Sequence, residues 1–251
     1  MIAVENDYLA NKAINRKILI ITAYVLITGY VVRVLSEIIH ELGHGLATVI
    51  FGGRIEGVHI SLITPLDISM IDLDKSGFTF EQDMITVAAG LILCLSLSFC
   101  LQFVLLVKKL DWRIAVPALW LAYWCYSTNT GIILDGVFGN PGDMTGLIEA
   151  GVMTPLLALI TGVMLYFIGL FFISTIVRRM LRPVTGEKTR FLVVIFWINV
   201  PLNIALYILK TGYLFAIIIG LIPVVVSYLL EFHLIERLEK LPNSHPVHKL
   251  I

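Results

Sequence analysis

Charge is scarce in this chain. Only 14% of its 251 residues are Asp, Glu, Lys or Arg, and the 18 basic and 18 acidic side chains cancel to a formal net charge of zero. A chain so balanced has no global field with which to collect nucleic acid, and no nucleic-acid partner is expected. Cysteine is nearly missing as well: Cys94, Cys100 and Cys125 all fall in apolar runs. Disulfide frameworks staple exposed loops, so these three read as small packing residues. A cleavable export signal is not expected either. The first 17 residues are polar and the apolar run behind them lacks a small-residue exit, which reads as a signal anchor.

What is there instead is hydrocarbon. Apolar residues make up 58% of the chain and the mean hydropathy is +0.92. Such values exclude disorder and fit a polytopic membrane protein better than a soluble domain. Apolar runs at 18–35, 84–107, 114–134, 152–177, 191–209 and 213–232 suit a hydrocarbon core of roughly 30 Å. The sequence therefore predicts an all-α polytopic membrane protein with about six transmembrane helices. Its expected parts are a polar lead at 1–17, a membrane core that carries the chemistry at 18–155, additional transmembrane helices at 156–232 and a tail at 233–251. Lys and Arg gather in the lead, at 108–113 and at 178–190, which places those loops and both termini on the cytoplasmic side. The acidic segments then fall on the opposite face.

One stretch breaks the helical pattern. Between Arg54 and Gln82, Val58, Ile60 and Leu62, then Ile68, Met70, Ile71 and Leu73, alternate with a period near two, interrupted by Pro65 and by Lys75-Ser76-Gly77. A short β-hairpin is expected there, behind a helix stopped by Gly52-Gly53. It is either a clamp for extended peptide or a plain connection.

The chemistry concentrates just before it, in Glu37-Ile38-Ile39-His40-Glu41-Leu42-Gly43-His44-Gly45. Residues four apart stack on one helix face, so His40 and His44 are set to share one metal ion. Glu41, on the next radial position, is placed to take a proton from a metal-activated water. This is the H-E-x-x-H arrangement of zinc hydrolases. The helix carrying it is either one long element or two that meet near Arg33 to Glu37. Glu37 is a partner for an imidazole or a polar residue facing a cavity. Gly43 and Gly45 leave space for substrate backbone or ease helix packing.

Catalytic zinc takes three protein ligands and keeps one position open. Asp135 follows Ile132-Ile133-Leu134 in an apolar run, where a carboxylate needs a partner. Asp143 stands at the start of a short helix, where capping accounts for it without metal. Asp135 is therefore preferred as third ligand, with Asp143 the alternative.

His40-Glu41-Leu42-Gly43-His44 in an apolar helix, with Leu134-Asp135-Gly136 about ninety residues later, resembles the site-2 protease family of intramembrane zinc metalloproteases. The resemblance covers roughly residues 30 to 155. It implies zinc held by His40, His44 and Asp135, with Glu41 as general base. Ala89-Gly90 stands for that family's small-residue motif, and Asn129 for its substrate-binding asparagine, without the usual prolines between Asn129 and Leu134. A more distant branch is similar in Gly142-Asp143-Met144 and in the segment from Gly52 to Ile60, and there Asp143 is the implied ligand. The expected function is hydrolysis of peptide bonds in membrane-associated protein or peptide substrates, within or beside the bilayer. The alternatives are a membrane transporter or metal-binding protein, and an inactive homologue that binds membrane segments without cutting.

Overall fold

The computed structural model describes residues 2–62, 69–139 and 141–185. Helix α1 (Ile2–Ile50) is followed by strands β1 (Arg54–His59) and β2 (Met70–Asp74), then by helices α2 (Phe80–Val107), α3 (Trp112–Val137), α4 (Asp143–Glu149) and α5 (Pro155–Thr185). The described residues are thus mostly helical with one small antiparallel sheet. The motif helix is a single unbroken element, since nothing between Arg33 and Glu37 removes a backbone hydrogen bond.

Its end is where the glycines require it. Gly52 takes a φ of +87°, a left-handed conformation that only glycine adopts without cost, and Gly53 donates its N–H back to the Thr48 carbonyl at 2.9 Å. The hairpin follows directly. β1 and β2 pair from Arg54↔Asp74 to His59↔Met70, with an irregularity between Ile55 and Gly57. α2 then starts on a reciprocal cap: Thr79 accepts from the Gln82 N–H, and the Gln82 side chain accepts from the Thr79 N–H. Glu81 and Asp83 in its first turn complement the helix dipole. Asp111 caps α3 by accepting from the Arg113 N–H at 2.9 Å.

Pro117 lies inside α3 and has no N–H for the carbonyl four residues back. That carbonyl belongs to Arg113, and the Tyr24 hydroxyl of α1 donates to it at 2.6 Å. Farther along, the indoles of Trp120 and Trp124 donate to the Val25 and Gly29 carbonyls, each at 3.0 Å. α1 and α3 therefore run in the same direction. α2 runs against α1, with Thr86 beside His44 and Cys94 beside Ser36. α5 runs against α3, where Tyr126 donates to the Leu165 carbonyl and Gly162 admits Leu134.

α3 sits at the centre, with Ala122, Tyr123, Cys125 and Tyr126 exposed by 1% or less. One apolar cluster joins it to α5 through Tyr126, Leu134, Tyr166 and Ile173. A second, built on Leu91, Ile133, Met144, Leu147 and Ala158, fixes α4 against α2, α3 and α5.

Among the described residues, three helical stretches are long and apolar enough to cross a membrane: Ala23–Ile50, Phe80–Val107 and Pro155–Met180. Six spans are not shown. The expected third span lies in α3, which has the length but is diluted by Trp, Tyr and the polar run Ser127-Thr128-Asn129-Thr130. The expected fifth and sixth spans and the tail lie outside the described residues.

At Gly43, α1 meets α2 backbone to backbone. A Cβ on Gly43 would lie 2.8 Å from the Ala89 carbonyl oxygen and 2.8 Å from the Gly90 Cα. Backbone cannot step aside as a flexible side chain can. Gly43→Ala is therefore expected to destabilise the protein by about 1–3 kcal/mol, measured by thermal or denaturant unfolding in detergent.

Candidate metal centre

His40 and His44 lie on adjacent turns of α1, 7% and 6% exposed. Each ring is fixed from behind. The Asn129 amide nitrogen donates to the Cys125 carbonyl at 2.7 Å, which leaves its oxygen, Oδ1, facing His40 Nδ1 at 3.0 Å. His44 Nδ1 faces the Thr86 carbonyl at 2.7 Å. Both partners are acceptors, so each Nδ1 carries the proton and each Nε2 carries a lone pair. This is the tautomer in which an imidazole binds metal through Nε2.

The two Nε2 atoms lie 3.2 Å apart, and Asp143 Oδ2 lies 2.9 Å from that of His40 and 3.4 Å from that of His44. Three acceptors converge with no donor among them, an arrangement that repels itself unless a cation or an added proton occupies the middle. Ligands at about 2.0–2.1 Å around a tetrahedral zinc would be separated by about 3.3 Å. The three observed edges bracket that length. His40, His44 and Asp143 thus form a group within metal-binding distance, and the residues present fit one ion. Asp143 lies outside the three apolar stretches. When added protons on the imidazoles fill the middle in place of an ion, burial still pushes its carboxyl up, but their hydrogen bonds and charge outweigh this and hold it below the usual carboxylate range.

Of the two aspartates, the structure brings Asp143 into the group. The N-cap of α4 is Gly142, which makes no side-chain cap, and Asp143 is the first helical residue. Capping therefore does not occupy the Asp143 carboxylate. Gly136 allows this placement: a Cβ there would meet the Met144 side chain at 2.6 Å and the Thr145 nitrogen at 3.0 Å. Asp135 is not brought into the group. It lies in the last turn of α3, and its Oδ1 is buried without a hydrogen-bond partner. In Leu134-Asp135-Gly136, then, the glycine serves the centre by admitting the short helix that carries Asp143.

Glu41 is 7% exposed, on the position next to His40, and does not belong to the ligating group. Asn129, expected to meet substrate, stands instead behind His40, 1% exposed and with both ends of its amide engaged. Gly90 completes the wall: a Cβ on it would lie 2.5 Å from His44 Nε2 and 2.9 Å from His40 Cε1. Glu37 is not bonded to either imidazole in this arrangement, and His59 lies exposed in β1. The part of Thr86 was not readable from sequence, because its backbone carbonyl makes the contact.

Comparison with family models, with curated proteins and with solved structures finds no match to this chain.

Two measurements probe the centre directly. Elemental analysis of purified variants should show metal lost from Asp143→Asn and kept by Asp135→Asn. Asn129→Ala removes the group that orients His40 and should weaken metal affinity by about 10–100-fold, read by competition with a chelating dye.

Proposed function

We propose that this chain is a zinc metalloprotease of the site-2 protease kind, an integral, multi-pass protein that hydrolyses peptide bonds of membrane-associated substrates within or beside the bilayer. The observation that carries the reading is the convergence of two imidazole lone pairs and one carboxylate oxygen, with a glutamate on the adjoining helix position. Buried groups of this kind are costly in an apolar helix and need a task. The bilayer reading rests on three apolar helical stretches and on outward leucines and isoleucines such as Leu26, Leu46 and Ile50, which are more than half exposed. The distribution of Lys and Arg would put both termini in the cytoplasm.

His40, His44 and Asp143 would hold the ion, leaving one position open. Zinc bound there supplies Lewis acidity for the scissile carbonyl and lowers the pKa of water towards neutrality. The chain's own residues do the rest. Asn129 and the Thr86 carbonyl keep the imidazoles in their ligating tautomer. Glu41 accepts the proton of the attacking water and returns it to the leaving amine. A helical substrate must unwind before attack, because its carbonyls are already hydrogen-bonded. Among the described residues each hairpin strand pairs on one side only, so an outer strand edge would hold the unwound segment by backbone hydrogen bonds. A transporter or metal store would have no use for Glu41 in this position.

The test uses the full-length protein purified in detergent and an unstructured polypeptide such as casein. Wild type should carry about one zinc per chain and cleave. Glu41→Gln should keep the zinc and lose about 10²–10⁴-fold in rate. Undiminished cleavage by that variant would sink the mechanism, and a wild type that binds zinc but never cleaves would point to the inactive homologue.

A further inference from the structure

We propose that the end of the helix bundle away from the metal centre holds a seat for anionic phospholipid, with the headgroup phosphate on Lys108, Lys109, Arg113 and Arg179. Two contacts bring the three apolar stretches to one level there. The Tyr24 hydroxyl, one residue into the first stretch, donates to the Arg113 carbonyl at 2.6 Å. Arg179 Nη1, one residue before the end of the third stretch, donates at 3.1 Å to the Leu106 carbonyl, one residue before the end of the second. The apolar lengths of α1, α2 and α5 therefore begin or end together, and α3 starts at the same level. Ala23 stands 17 residues before His40, about 26 Å along α1, so this is a place of its own.

Cations crowd that level. From Lys108 to Arg113 the chain carries three basic side chains and one acid, and all four are exposed. The acid, Asp111, turns its Oδ1 to the Arg113 N–H as the cap of α3. Arg179 is exposed as well and joins the three from α5. Among the described residues, neither lysine side chain has a bonded partner. Like charges gathered at one level repel one another, and an anion among them relieves the repulsion.

Apolar surface adjoins the charges, and this favours a lipid headgroup over a free phosphate ion. Phe103 and Val107, four apart on α2, are more than half exposed, and so is Ile114 on α3. Acyl chains can lie along such residues while the phosphate stays with the cations. Trp112 marks the boundary between the two. It is exposed, its ring meets that of Tyr24 edge-on with centroids 5.2 Å apart, and the Arg113 guanidinium lies 5.8 Å from its centre. An indole, apolar in body and polar at one edge, favours this headgroup level. A headgroup shared by Arg179 and the 108–113 loop would tie α5 to the junction of α2 and α3. The seat rests on the chain's lying in a bilayer and is independent of proteolysis.

Fluorescence quenching in bilayers tests the seat without recourse to activity. The full-length protein is placed in phosphatidylcholine vesicles that contain either phosphatidylglycerol or phosphatidylcholine with brominated acyl chains, which quench tryptophan on contact. Wild type should be quenched at a lower mole fraction of brominated phosphatidylglycerol than of brominated phosphatidylcholine, and Trp112→Phe should abolish the difference. Lys108→Gln and Lys109→Gln should each weaken the preference by about fivefold. Lys75→Gln removes the same charge at the opposite end of α2, where Lys75 pairs with Asp83 at 2.6 Å, and should leave the preference unchanged. Inorganic phosphate, against chloride at equal ionic strength, should not displace the lipid. Equal quenching of wild type by both lipids would overturn the proposal, and so would an equal loss of preference in Lys75→Gln. Displacement by inorganic phosphate would overturn it in favour of a free-phosphate site. Quenching by neither lipid would overturn the bilayer reading, and the seat with it.

Discussion

The close approach of α1 to α2 is the constraint on which the rest depends. Gly43 faces Gly90, and between them lies only backbone. That contact brings the Thr86 carbonyl within reach of His44 and leaves room for both imidazoles to turn their Nε2 atoms inward. Any wider spacing would leave the His44 ring without its fixed partner. Small residues at such a crossing are how apolar helices associate when no hydrophobic force separates one neighbour from another. In this chain the same device also shapes the centre, since the Gly90 surface is one of its walls.

α3 does the complementary work from the other side. Among the described helices it is the one most enclosed by protein, and several of its polar side chains are spent on neighbours. Asn129 serves His40, Trp120 and Trp124 reach carbonyls of α1, and Tyr126 reaches one of α5. Even the break caused by Pro117 is made good from outside, by Tyr24. In apolar surroundings a free carbonyl would be expensive, so each of these contacts also fixes how the helices sit. Within the polar run that keeps α3 from reading as a strong span, Asn129 is the residue that meets the site.

Much of this was legible in the sequence. The spacing of His40 and His44 declares a shared face because helical geometry is periodic. Gly52-Gly53 marks the end of α1 because the chain there needs a positive φ. The hairpin is visible in the two-residue alternation around Val58 and Met70. The third carboxylate was not legible. Asp135 and Asp143 differ in local sequence only by a capping argument, and that argument turned on whether α4 begins at one residue or the next. Its start is set by Gly136 and Met144 meeting, a contact between segments that no local pattern encodes. Asn129 was singled out by resemblance, but its direction is fixed by the Cys125 carbonyl one turn back, and side-chain facing of that kind emerges only once helices are packed.

The two imidazoles are held by unlike means, and the difference has a consequence for how the centre can change over generations. His40 leans on an amide side chain, which a single altered codon removes. His44 leans on a peptide carbonyl, which every amino acid supplies. Drift at position 129 can therefore disarm one half of the site in a single step. At position 86 no codon abolishes the acceptor, and only a displacement of the helix itself would do so. One imidazole's support is heritably fragile, and the other's is as durable as the fold.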